Sequence, residues 1–326
     1  MNLLKYYLGV DGGGSKTNTL ITDEYGRVVG KGNSGNGNHQ IDYETAKRNI
    51  CESVEMALSE ANMERSDIQF AYFGLAGADR EADYQILRPM IAELGFSKYE
   101  VNCDTAIALR AGTDQPHGVV LICGAGTNSA GVNCRHEFYQ CGGFSYVFGD
   151  FGGGSDLGIE AFRSVIRAWD GRERPTLLTN LLLQDQGYDS VQSMFNDYLN
   201  HDKTPPLRTV KLLFQAAAQG DEVALHILRV QGEELGKSAQ AIIKRLDMEA
   251  DKFDVVLAGS VLTRGEARFI HPYIEQAVKS CAPGASLVKL EIEPVVGAVW
   301  LAFEAGGNKL PREVYDRLRS ASEYSY

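Results

Sequence analysis

Val10-Asp11-Gly12-Gly13-Gly14-Ser15-Lys16-Thr17 lies between two runs of β-formers, Leu8 to Val10 before it and Asn18-Thr19-Leu20-Ile21-Thr22 after it. Three successive glycines permit φ > 0 and remove the side chains that would keep a ligand off the backbone. Consecutive N–H groups in such a turn form a concave anion site. Ser15, Lys16 and Thr17 add hydroxyl and ammonium donors, and Asp11 is placed to hold a metal's water shell. Two familiar phosphate loops are excluded. A Walker A loop needs Gly directly before Lys, where Ser15 stands. A dinucleotide fingerprint needs a following helix and a third Gly where Thr17 stands. The stretch therefore reads as strand, glycine turn, strand: a hairpin that grips phosphate.

The same order returns about 110 residues later. Tyr6–Asp11, Thr17–Asp23 and Arg27–Lys31 read as three strands, with Asp23-Glu24-Tyr25-Gly26 as the second turn. Val119–Cys123, the turn Gly124-Ala125-Gly126-Thr127-Asn128, the strand Ser129–Val132, the turn Asn133–His136 and the strand Glu137–Cys141 repeat that unit. A repeated unit implies a duplicated domain, with each copy presenting a glycine hairpin across a cleft.

At 326 residues and 35.7 kDa the chain exceeds the usual single-core size, so two domains are expected. A net charge of −11 and a pI near 5.1 argue against a nucleic-acid or anionic-membrane surface. No apolar run reaches the roughly 18 residues of a membrane span, and the N-terminus lacks a signal-peptide pattern, so a cytoplasmic protein is expected. The six cysteines form no C-x-x-C pair and several lie in apolar runs, as reduced core thiols do. Cys134, His136 and Cys141 are close in sequence, but their spacing matches no standard zinc finger.

Between the repeats, Gly32 to His39 is a small-residue loop of the kind that carries ligand contacts, and Tyr43–Asn62 has helical spacing. Phe70–Leu75 is a buried strand ending in Ala76-Gly77-Ala78-Asp79, followed by a helix over Glu81–Leu94. Asp104 ends the short strand Val101–Cys103 and precedes a helix, Thr105–Gly112. That is where α/β sheets place their ligands, and it is equally a helix N-cap position. From Gly142 to Gly158, seven of 17 residues are Gly, which no regular element tolerates; Asp150 within this run is a candidate acceptor for sugar hydroxyls. A helix follows over Ile159–Trp169, and Pro175 to Glu249 reads as helices with a turn at Gln219-Gly220-Asp221. The pattern then predicts a strand at Phe253–Ala258 ending in Gly259-Ser260, a helix over Gly265–Ser280, a strand at Ser286–Leu290 and a helix over Val295–Gly306. Pro311–Tyr326 closes the chain as a helix and a polar tail.

Asp11 to Thr17, Asp104, Gly124 to Asn128, Gly142-Gly143 with Gly149-Asp150, and Gly259-Ser260 fall in one order over nearly the whole chain. That series resembles the BadF/BadG/BcrA/BcrD ATPase family, and within it the N-acetylglucosamine kinases of the actin/Hsp70/sugar-kinase superfamily. The resemblance implies an α/β protein of two duplicated ribonuclease H-like domains, residues 1–115 and 116–326. The second would carry a helical insertion, and the last helix is free to pack back on the first. It implies ATP and Mg²⁺ as cofactors, a small-molecule sugar as substrate and a homodimer. Gly12, Gly13, Gly14, Ser15, Lys16 and Thr17 would form the first phosphate loop, with Asp11 holding Mg²⁺ through water. Gly124, Ala125, Gly126, Thr127 and Asn128 would form the second. Gly259, Ser260 and Ala217 would line the adenosine pocket. Asn38, His39, Gly77, Asp104, Gly142, Gly143 and Asp150 would hold the amino sugar, with Asp104 as the base. Kinases of this group often show Gly-Thr-Gly-Ser-Asn in the second loop; Ala125 here removes one hydroxyl near phosphate. Two other readings belong to the same scaffold. One is an ATPase that drives electron transfer to a dehydratase or reductase through a cysteine-held iron–sulfur cluster, and the other is a sugar sensor without turnover. Glucosamine and N-acetylmuramic acid are alternative acceptors.

Overall fold

The computed structural model describes residues 4–308 and 310–320. The chain opens with β1 (Tyr6–Gly12), β2 (Thr17–Asp23) and β3 (Val28–Ser34), then α1 (Tyr43–Ala61), β4 (Ile68–Leu75), α2 (Glu81–Ala92), β5 (Tyr99–Cys103) and α3 (Asp104–Gly112). The pattern restarts with β6 (Gly118–Cys123), β7 (Thr127–Val132) and β8 (Phe138–Gln140). Five helices follow: α4 (Gly154–Trp169), α5 (Leu178–Gln186), α6 (Val191–Asn200), α7 (Thr209–Ala218) and α8 (Glu222–Arg245). The chain then forms β9 (Asp254–Ala258), α9 (Ser260–Arg264), α10 (His271–Cys281), β10 (Ser286–Lys289), α11 (Pro294–Ala305) and α12 (Arg312–Ser320).

The first sheet has strand order β3-β2-β1-β4-β5, and the second β8-β7-β6-β9-β10. In each, an antiparallel three-strand meander is extended by two parallel strands. The two sheets are thus one topology used twice. The alternation of side chains along each strand sorts the core into layers. On β1, Leu8 and Val10 face α1 and α2 on the outer side, while Tyr7 points inward. On β6, Val119, Leu121 and Cys123 face α8 and α10, while Val120 points inward. Between the sheets lie α3 and α11, whose Ile107, Ala111, Val299 and Trp300 share one cluster with residues of both sheets.

Close approach of these layers depends on missing Cβ atoms. A Cβ on Gly9 would sit 2.5 Å from the backbone nitrogen of Val299, and one on Gly297 would strike the carbonyl of Ile107. Gly30 and Gly32 similarly admit the carbonyls of Ala57 and Ser53, seating α1 on β3. Asp42 caps α1 by accepting from the Thr45 amide at 2.7 Å, and Asn62 closes it in the left-handed conformation. In α12, Tyr315 stacks on Trp300 with ring centres 4.2 Å apart, and Arg317 donates to the Tyr25 carbonyl in the β2–β3 turn at 2.9 Å.

Three elements differ from the sequence-based expectation. The strand expected to end at Lys31 runs on to Ser34. The helix expected from Ile159 begins at Gly154, because Asp156 accepts from the Gly153 amide at 3.1 Å and so caps the glycine run. The helix expected over Gly265–Ser280 starts only at His271 as α10, after a 3-10 turn at Ala267–Phe269, and a short helix that the pattern did not predict, α9, precedes it at Ser260–Arg264. Gly265 is pinned there against Phe214, with only 2.6 Å to spare for a Cβ, and Pro272 starts α10 afresh. The polar tail beyond Ser320 lies outside the described residues.

Candidate active site

The carboxyl ends of the parallel strands of the first sheet converge on three acids. Asp11 ends β1, Asp79 follows β4 in the Ala76–Asp79 loop, and Asp104 starts α3 directly after β5. All three are partly buried. The sheet register explains the convergence, since Gly12, Leu75 and Cys103 lie side by side across β1, β4 and β5.

Burial, reinforced by the charge of Asp104, pushes the Asp11 carboxyl up to about 7; Lys16 opposes the rise and Glu293 adds to it. Burial likewise lifts Asp104 to about 6, opposed by a hydrogen bond from the Cys103 thiol and raised further by Asp79. The Cys103 Sγ–H lies 3.2 Å from Asp104 Oδ1 and 3.5 Å from Asp79 Oδ1. Buried among these acids, that thiol is itself held well above its usual range.

The first glycine turn is a tight one, with the Gly13 amide donating to the Lys16 carbonyl at 2.9 Å. Gly12 and Gly13 use their carbonyls to hold Ala76 and Gly37, each at 2.9 Å, so the turn is braced on both sides. Gly14, Ser15 and Lys16 are exposed. Thr17 is not: it is fully buried, and its hydroxyl donates to the Gly35 carbonyl at 2.9 Å, so it shapes the loop from beneath. Lys16 Nζ lies 3.0 Å from Glu293 Oε1, at the N-cap of α11.

The second turn is closed by the Gly124 amide donating to the Gly126 carbonyl at 2.9 Å. The start of α4 docks on it: the amides of Gly154 and Ser155 donate to the carbonyls of Gly124 and Ala125 at 2.8 and 3.1 Å. Gly153 must be Gly, since a Cβ there would lie 2.5 Å from the Gly126 backbone. Gly126 itself faces open space. Gly259, at φ +84°, packs against the backbone of Cys123 and Gly124, and Ser260 beside it is exposed. Ala217 is 3 % exposed, in a core cluster that also holds Cys123, Val261 and Leu262 beside that turn.

Among the residues expected to hold the sugar, Asn38 Oδ1 accepts from the Gln40 amide at 2.9 Å and fills the space beside Gly77. His39 is buried with Nε2 3.5 Å from Asp83, and its Nδ1 has no partner. Gly142 and Gly143 take positive φ of 79° and 92° around Asp150. Asp150 Oδ2 accepts from the amides of Gly143, Phe144 and Ser145 at 3.1, 2.8 and 2.8 Å. That oxygen therefore builds the loop, and only Oδ1 is left to meet a ligand. A cleft of about 740 Å³ runs between Gln40 and Arg80 on one wall and Gly126, Thr127, Phe144 and Phe148 on the other.

Sequence reasoning missed Asp79, Gln140 and Glu293. Each acts through a partner far along the chain, so no local spacing marks it. Asp79 alone carried a signal, as an acid at the end of a buried strand. Cys134 is exposed and Cys141 partly buried, and among the described residues no group of three or more His, Cys, Asp or Glu is placed to hold a metal ion directly. Asp11 has a different fit. Three carboxylates, Asp11, Asp104 and Glu293, stand against one ammonium, Lys16, a surplus that suits a divalent cation held through water.

Residues 8–302 match the sequence model of the BadF/BadG/BcrA/BcrD ATPase family. The chain is 27 % identical over 303 residues to an N-acetylmuramic acid/N-acetylglucosamine kinase of Clostridium acetobutylicum, covering 92 % of this chain and 98 % of that one. It is also 27 % identical over 315 residues to an N-acetyl-D-glucosamine kinase of Dictyostelium discoideum, with the same coverage. A crystal structure of a candidate N-acetylglucosamine kinase from Chromobacterium violaceum superimposes with a TM-score of 0.70 at 22 % identity, covering 92 % of this chain and 99 % of that one.

Proposed function

The chain belongs to the BadF/BadG/BcrA/BcrD ATPase family, and from that premise we propose that it is an ATP-dependent kinase of an amino sugar, phosphorylating the 6-hydroxyl of N-acetylglucosamine. The observation that carries this reading is the position of Asp104. It is a partly buried carboxylate coupled to Asp11 at the first glycine turn, and joined through Cys103 to Asn128 of the second. Two whole-length relatives that act on N-acetylglucosamine support the acceptor. The segments 1–115 and 116–326 would close over both substrates, in the cytoplasm where ATP is supplied.

Phosphoryl transfer asks a protein chiefly for positioning and charge neutralisation. Asp104 accepts the proton of the acceptor hydroxyl as that oxygen bonds to the γ-phosphorus and the bond to ADP breaks. With its carboxyl lifted to about 6, Asp104 is ionised at neutral pH yet more basic than an ordinary aspartate. The exposed backbone of Gly14, Ser15 and Gly126 offers donors to the phosphate oxygens, and Lys16 can swing from Glu293 to meet them. Mg²⁺, held by Asp11 through water, would neutralise charge on the β- and γ-phosphates when bound. Gln40, Asn38 and the Gly142–Ser145 loop would orient the sugar and exclude water. A screen of ATP consumption against hexoses and amino sugars tests the reading. N-acetylglucosamine should give the highest kcat/KM, and absence of sugar-dependent ADP release across the panel would contradict it.

A further inference from the structure

Asp79 has no part in the chemistry described above, yet groups from both sheets converge on it. Its Oδ1 accepts from Gln140 Nε2 of β8 at 2.7 Å, from Asn128 Nδ2 of β7 at 3.2 Å, and from the Cys103 thiol of β5 at 3.5 Å. Two of these donors belong to the second sheet, and the third is bonded to Asp104. The second-sheet donors are also built into the sugar wall. Gln140 Nε2 reaches the Gly142 carbonyl at 3.3 Å, and Asn128 Oδ1 would be 2.7 Å from a Cβ on Gly143. Gln140 Oε1 is buried without a partner, so only the bonds of Nε2, the shorter of them to Asp79, hold this amide.

We propose that Asp79 is a positioning residue, a clasp that ties the second glycine loop and the Gly142–Gly143 wall to the strand end bearing the base. It sets the register of the two sheets at which Asp104 reaches the acceptor hydroxyl. The inference rests on the kinase reading and adds a residue to it. A single carboxylate oxygen that takes two amide donors from the second sheet and lies 3.5 Å from the Cys103 Sγ, whose one proton it shares with Asp104, positions these groups only while it stays in place. Because Asp79 touches neither glycine turn's exposed face, its loss should disturb acceptor geometry more than nucleotide affinity.

The test is a mutant cycle on Asp79 and Gln140, read by steady-state kinetics with ATP and N-acetylglucosamine. Asp79→Ala should lower kcat by at least about tenfold, because a small misplacement of reacting groups is enough to do so. KM for ATP should stay within about threefold. Asp79→Asn keeps the accepting oxygen and should recover most of the lost kcat, a rescue that loss of fold alone would not give. Gln140→Leu should reproduce the Asp79→Ala defect, and the double variant should be little worse than either single one. Wild-type-like kcat in Asp79→Ala, or losses that multiply in the double variant, would overturn the inference. Should Asp79→Ala not fold, Gln140→Leu and Asp79→Asn still decide it, since the first must be defective and the second active. Wild-type protein inactive on every sugar would instead sink the kinase reading, a result distinct from these.

Discussion

Asp11 shows how a single residue in this site stores unfavourable charge. Its carboxyl is lifted from the ordinary 3.8 to about 7, first by burial and then by Asp104. A carboxyl raised in the folded state binds its proton more tightly there than in the unfolded chain. Its contribution to stability is therefore present in full below about pH 4 and disappears as pH rises through about 7. Above that, the ionised group works against folding. Asp11→Asn removes the charge, so without nucleotide or Mg²⁺ its Tm should exceed the wild type's by about 2–5 °C at pH 8. At pH 4 the difference should vanish. Thermal melts at the two pH values check this, and a variant less stable than wild type at pH 8 would refute it. Asp11 and Asp104 titrate as a pair, so the crossover belongs to both. At this scale the sequence was a good guide to which residue types matter. Asp11, Asp104 and the glycines were legible because each stands at a strand end or turn. Asp79, Gln140 and Glu293 were not, because these partners are 24 to 277 residues away. Thr17 and Asp150 were legible as polar residues in the right loops, but only the fold shows that their oxygens hold the loops themselves.

Among elements, the deciding contacts are backbone against backbone. The helix α11 is apolar on every side because it lies between the first sheet and α3, and Gly9 and Gly297 let it reach both. Gly297→Ala would drive a Cβ into the Ile107 carbonyl and to 2.9 Å from the Ala111 amide nitrogen. Overpacking of this kind costs about 1–3 kcal/mol. The variant's Tm should fall by about 3–8 °C. Gly126→Ala is the contrasting case: nothing lies within 4 Å, so Tm should stay within about 1 °C while KM for ATP rises. Melting curves and ATP kinetics on the pair check both halves, and a stable Gly297→Ala would show that α11 can shift. The long helices and buried strands were legible from periodicity. The short α9 and the late start of α10 were not, because Gly265 is fixed by Phe214 on a distant helix. Nor was the early start of α4, since glycines begin a helix only when something docks their amides, here the carbonyls of Gly124 and Ala125.

The whole molecule is one five-strand topology used twice around a shared pair of helices. That duplication was visible as a repeated order of strand, glycine turn and strand, because tight turns need particular residues wherever they occur. What the repeat does not reveal is the asymmetry that makes a site. The strand ends of the first sheet supply Asp11, Asp79 and Asp104, while the second supplies the amides of Asn128 and Gln140 and the glycine wall. The proposed catalysis requires the two to meet with Asp104 over the acceptor. The direct test compares wild type and Asp104→Asn, measuring N-acetylglucosamine affinity by calorimetry and turnover with ATP on the same preparations. Unchanged sugar affinity with kcat reduced at least about a hundredfold is the predicted result. Near-normal turnover by Asp104→Asn would contradict it.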